Sequence, residues 1–80
     1  METNDYDADI VFGAWLRDQR VSAGMSIEEV SKKSGISIQR IKSLEVGYAE
    51  KGITKAESEQ LCTAYKIVLK DFIHRASGNL

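Results

Sequence analysis

Apolar residues recur at helical spacing along most of the chain. Phe12 and Leu16 lie four apart and Trp15 lies three from Phe12, so one face of a first helix is apolar, with Asp7 or Asp9 placed to cap it. A second, brief helix follows Ser26, with Val30, Ser31 and Ser34 on its inward side. Ser26 and Glu29, three residues apart, form a capping box, and Gly35 suits the left-handed conformation that ends a helix. Ile36 plugs the turn and Ser37 is placed to cap a third helix over 37–46. In that helix Ile41 and Leu44 face inward; at roughly 100° per residue, Gln39, Lys42, Ser43 and Val46 point the other way. Gly47 permits a left-handed exit. Thr54 and Glu57 make a second capping box, so a fourth helix starts near Lys55, with an apolar stripe of Leu61, Ala64 and Tyr65 and Ile67 at its end. Leu69, Phe72 and Ile73 mark a fifth helix that starts near Val68 or Leu69 and runs to about Arg75. The pattern predicts an all-α, compact five-helix domain in which helices two and three form a helix, a tight turn and a helix.

Length limits what this core can do. A chain of 80 residues buries only about 60–65% of its unfolded surface, and no disulfide pair or metal cluster staples it. An oligomer interface is therefore a reasonable supplement. The single cysteine, Cys62, lies beside the fourth helix's apolar stripe and reads as a small buried hydrophobe in a reducing cytosol. No signal peptide or membrane-spanning run is present, and the sequence reads as complete from Met1 to a polar tail. Domain organisation is expected to be an acidic, flexible leader over 1–8, the helical domain over 9–75 and a flexible tail over 76–80.

The formal net charge is −1, unusual for a nucleic-acid binder. The average conceals an asymmetry. Glu2, Asp5, Asp7 and Asp9 crowd the start without a base, and the rest of the chain is mildly basic. The leader reads either as a solvated start or as an acidic arm that competes with phosphate for the basic surface. There is no phosphate-binding glycine loop, no metal-ligand spacing and no nucleophile–base pair. Trp15 reads as core packing, and the lone His74 has no partners for a metal or catalytic site. The chain is accordingly expected to be no enzyme and to need no cofactor or metal.

Residues 26–47, SIEEVSKKSGISIQRIKSLEVG, resemble the helix-turn-helix of the phage repressor/Cro family, also called the XRE family. The matches FGAWLRDQR at 12–20, Gly24-Met25-Ser26 and Leu44-Glu45-Val46-Gly47 extend the resemblance to about residues 10–73. It implies a lambda repressor-like fold. It also implies a sequence-specific transcriptional regulator, in expectation a repressor, that binds double-stranded DNA as a homodimer on an inverted repeat. Such a protein works in a bacterial or phage cytoplasm, nucleoid-associated when bound. By position, the resemblance assigns base contacts to Ile38, Gln39, Lys42, Ser43 and Val46. Gln39 suits adenine, Lys42 guanine, and Val46 or Ile38 a thymine methyl. It assigns phosphate contacts to Arg40 and Tyr48, with Lys51 standing in for a missing basic residue after the glycine. Lys32 and Lys33 are either a solvated helix end or further phosphate contacts. Arg20 and Glu45 match a structural ion pair between helix one and the recognition helix. Leu69, Phe72 and Ile73 match a helix through which relatives often dimerise.

Two positions depart from the family. Ile27 stands where a glutamine commonly contacts the DNA backbone, and Tyr48 stands where a basic residue is usual. Both departures, with the net acidity, suit a rival reading: the same scaffold used as a protein-protein interaction module, as in the cytoplasmic domain of bacterial rod-shape proteins. The chain lacks the basic juxtamembrane segment and membrane helix of such proteins. An antitoxin-like autoregulator that binds both DNA and a protein partner is a third reading. The polar and basic outward residues favour DNA.

Overall fold

A computed structural model describes residues 5–76, which form five helices: α1 (Asp5–Ser22), α2 (Ile27–Ser34), α3 (Ile38–Val46), α4 (Lys55–Tyr65) and α5 (Leu69–Ala76). Residues 1–4 of the expected leader and 77–80 of the expected tail lie outside the described residues. α1 begins at Asp5, earlier than a cap at Asp7 or Asp9 would start it. No glycine or proline interrupts this stretch.

Local capping sets the ends of α2, α3 and α4. Ser26 Oγ accepts from the Glu29 amide at 3.1 Å, and Glu29 Oε1 accepts from the Ser26 amide at 2.9 Å. Gly35 adopts φ 81° and donates its amide to the Ser31 carbonyl at 2.8 Å. Serines then build the turn. Ser31 Oγ donates to the Ile36 carbonyl at 2.6 Å, while Ser34 Oγ accepts the Ile36 amide at 3.1 Å. These bonds hold Ile36 in the core, 5% exposed. Ser37 Oγ accepts from the Arg40 amide and opens α3. Thr54 and Glu57 repeat the reciprocal cap at α4. Lys66 ends α4 in the left-handed region at φ 60°, a conformation in which side chains are uncommon.

The core joins all five helices. Phe12, Leu16, Val30, Ile36, Ile41, Leu44, Leu61, Cys62 and Phe72 are buried. Burial pushes the Cys62 thiol up, so it stays protonated and packs as an apolar group. Phe72 meets Phe12 and Trp15 edge-on, each at 5.6 Å between ring centroids, and Phe12 stacks on Trp15 at 5.8 Å. Arg75 covers the Trp15 ring at 5.3 Å. Aromatic pairs of this kind contribute about 0.5–1.5 kcal/mol each beyond the area they bury.

This cluster corrects the expectation for α5. Phe72 is 0% exposed and belongs to the core of a single chain, so it is no surface for a second subunit. Leu69 is half-buried against the same core, and only Ile73 of the three is exposed.

α1 lies tightly against α3. A Cβ on Gly13 would lie 2.4 Å from the Glu45 carbonyl oxygen and 2.6 Å from that of Leu44. Gly47, at φ 83°, meets the α1 backbone at Ile10 in the same way. Two glycines thus let α1 lie directly against the end of α3.

Candidate nucleic-acid interface

α3 is held on its inner side and open on its outer side. Ile41 and Leu44 are buried, whereas Ile38, Gln39, Lys42 and Val46 are exposed and Ser43 is partly so. The five residues assigned to base contact therefore share the outward side of one helix. Tyr48 is exposed just beyond its end.

Two arginines fix how this helix sits. Arg20 reaches from α1 to Glu45 in a bidentate pair, Nε to Oε2 at 2.7 Å and Nη2 to Oε1 at 3.0 Å. Its Nη1 also donates to the Met25 carbonyl at 3.2 Å, tying the loop before α2 to the same point. Donating to Glu45 raises the Arg20 pKa further, against the opposing effect of burial. Tyr65 is half-buried beside this pair, and desolvation, aided by the Glu45 charge, pushes its phenol up to about 12.

Arg40 is the second clamp, and here the structure differs from the expected phosphate contact. Its Nε donates to Glu57 Oε2 at 2.8 Å and its Nη2 to Glu57 Oε1 at 3.1 Å. The Glu50 carbonyl accepts from Nη1 at 3.1 Å and the Gly52 carbonyl accepts from Nη2 at 2.6 Å. One guanidinium thereby joins α3, the 47–54 loop and the first turn of α4. Arg40 flanks the inner side of α3, and its long stem reaches a carboxylate on another helix. Helical period alone does not reveal that partner. Lys51, in the same loop, is exposed in the left-handed region at φ 63°.

The Arg40 hydrogen bond holds the Glu57 carboxylate below its ordinary value of 4.5, against the effect of burial. A carboxylate with a depressed folded pKa stabilises the protein above its unfolded pKa, and that stability is lost as pH falls through the folded value. Urea midpoints should therefore drop more steeply for the wild type than for Glu57→Gln between about pH 5 and pH 3. Parallel curves for the two proteins would show that the pair adds nothing to stability.

The site does not gather every assigned cation. Ile27, at the start of α2, shares a groove with Lys42 and Val46 of α3. Lys32 and Lys33 are exposed at the opposite end of α2, away from that groove. Among the described residues no group of His, Cys, Asp or Glu is arranged to hold a metal ion, and no helix is long and apolar enough to cross a membrane.

A short capped helix, a serine-built turn and a second helix with one open polar side define a helix-turn-helix domain. The family model described as helix-turn-helix matches residues 16–68, most of the chain. The protein belongs to this family, of XRE/Cro-C1 type, whose members are DNA-binding regulators. Comparison with curated proteins gives no match.

Proposed function

We propose that this protein is a sequence-specific transcriptional repressor that lays α3 in the major groove of an inverted-repeat operator, acting as a homodimer in the cytoplasm. The observation that carries this reading is the outward side of α3. Gln39, Lys42 and Ser43 stand there as donors and acceptors beside the apolar Val46, while Arg20–Glu45 and Arg40–Glu57 hold the helix from behind. Base edges in the major groove are read by such short polar and basic side chains, held in register by a rigid helix. In this reading the dimer would form through Ile73 and the partly buried Leu69, beside Val68, which is 65% exposed. A two-fold contact there would have to set two recognition helices about 34 Å apart.

One observation favours a second reading. Ile38, Val46 and Tyr48 are 37%, 55% and 61% exposed on this same side. Exposed apolar residues suit a protein partner as well as thymine methyl groups, as in an interaction module or an antitoxin-like autoregulator.

Mobility shifts on DNA from upstream of the protein's own gene test these readings. Gln39→Ala should lower specific affinity by about 1–3 kcal/mol and relax one base position. Sedimentation of the free protein and of the complex reads the stoichiometry. Unchanged specific binding in Gln39→Ala would argue for the protein-interaction reading, and a monomer in both states would exclude the dimer.

A further inference from the structure

The first half of α1, the last turn of α3, the 47–54 loop and the end of α5 meet around a cavity of about 180 Å³, partly open to solvent. Phe12, Leu44 and Ile53 wall it, and the short side chains of Ala49 and Ala76 leave it unfilled. Gly47 and Gly52 complete the lining with backbone alone. Protein interiors are close-packed, and a cavity of about 150 Å³ already holds a benzene molecule. Asp9 stands at the rim, exposed, and is the one charged residue of the lining. It has no ion-pair partner among the described residues. α3 and α5 both end here, at Gly47 and Ala76, and the C-terminal end of a helix carries partial negative charge. The cation bonded to this loop, Arg40, is taken up by Glu57 and two loop carbonyls and does not line the cavity. The space is therefore apolar within and negative at its mouth.

We propose that this cavity is a binding site for a small organic cation, an ammonium group on an apolar body about the size of one aromatic ring. The body lies against Phe12, Leu44 and Ile53, and the ammonium sits at the mouth beside Asp9, in the field of the two helix ends. Burial of the body supplies most of the affinity, because an ion pair to an exposed carboxylate is weak. The carboxylate instead selects the class of ligand. An anion of the same shape meets Asp9 and both helix ends with like charge, and a neutral molecule gains the walls but no charge partner. None of Ile38, Gln39, Lys42, Ser43 and Val46 lines the cavity, so its ligand does not compete with whatever the outward side of α3 touches. The ligand joins α5 and the loop to the last turn of α3, and by binding only the folded chain it stabilises that arrangement. The site does not depend on the DNA-binding reading.

Benzylamine, benzyl alcohol and benzoate are the probes, one ring carrying a cationic, a neutral or an anionic head. The full chain, isotope-labelled for NMR, is titrated with each at neutral pH and low salt, and melting temperatures are measured alongside. Benzylamine should shift the amides of Gly47, Gly52 and Ile53 saturably and raise the melting temperature. Benzyl alcohol should bind about two- to five-fold more weakly, the range of an exposed ion pair, and benzoate most weakly. Asp9→Asn should bring benzylamine to the level of benzyl alcohol and leave the alcohol unchanged. Ala49→Leu fills the space from the loop and Ala76→Leu fills it from α5. Each should abolish binding of both molecules, with circular dichroism confirming the fold, and either one suffices where the other does not fold. Titrations that stay linear for all three probes, or shifts confined to other residues, would overturn the site. So would undiminished binding in a folded leucine variant. Benzylamine binding no better than benzyl alcohol would overturn its assignment to cations. The DNA-binding reading stands or falls separately from all of these results.

Discussion

Gly13→Ala is expected to destabilise this domain by about 3 kcal/mol or more, toward the upper end of overpacking effects. The sign is what makes the prediction informative. Gly13 lies inside α1, where helix propensity alone favours alanine by about 1 kcal/mol. The structure reverses that expectation. The added Cβ would sit 2.4 Å and 2.6 Å from two backbone carbonyl oxygens of α3 and 2.8 Å from the Glu45 carbonyl carbon. No rotamer relieves such a contact, because the obstructing atoms are backbone. α1 and α3 would have to separate, which opens the interface holding Phe12, Leu16 and Leu44. A domain of this size has only about 4–12 kcal/mol of stability in all. Urea unfolding should show a large drop in midpoint with an unchanged slope. A midpoint at or above that of the wild type would mean that α1 and α3 do not approach as closely as described. Because α1 braces α3 from behind, a folded Gly13→Ala protein should also bind DNA more weakly, whatever the sequence.

What the sequence discloses here follows the range over which each signal acts. Ser26 with Glu29, Thr54 with Glu57, Ser37, Gly35 and Gly47 signal helix ends through bonds to neighbours a few residues away, and each is seen at its expected place. The outward set on α3 is equally local, since it depends only on helical period and on Ile41 and Leu44 being buried. Arg40 is different. Its direction is decided by Glu57 and by two loop carbonyls, and nothing in the spacing of α3 announces them. Leu69, Phe72 and Ile73 share one apolar edge in the sequence. Which of them is enclosed depends on where Phe12 and Trp15 stand across the helix pair. Gly13 gave a weak signal, a glycine inside a helical pattern, whose meaning needs the distance to α3.

Removing either partner of the Arg20–Glu45 pair should cost about 3 kcal/mol, near the lower end of the range for breaking a buried ion pair. The two side chains are 13% and 7% exposed, so a lone survivor would be left with little water to solvate it. The losses should not be equal. Glu45→Ala leaves Arg20 with the Met25 carbonyl and a path to solvent along its stem. Arg20→Ala leaves a carboxylate with no cationic partner beside the half-buried phenol of Tyr65. Arg20→Ala is therefore the more damaging change. The double mutant should lose clearly less than the sum of the single losses, because the second deletion removes a group that the first left stranded. Stability alone does not exhaust the effect. The pair connects α1 to the last turn of α3, and the third donor of Arg20 connects both to the entry of α2. All three elements border the groove that continues the open side of α3. Arg20→Ala should consequently weaken specific binding more than nonspecific binding under conditions where the protein is still folded, since only specific binding requires α3 to be held in one orientation. Denaturation curves for the four proteins give the coupling energy, and mobility shifts with operator and unrelated duplexes give the ratio of affinities. Strict additivity of the stability losses would mean that the pair does not hold in solution, and an unchanged affinity ratio would mean that it does not orient the reading helix.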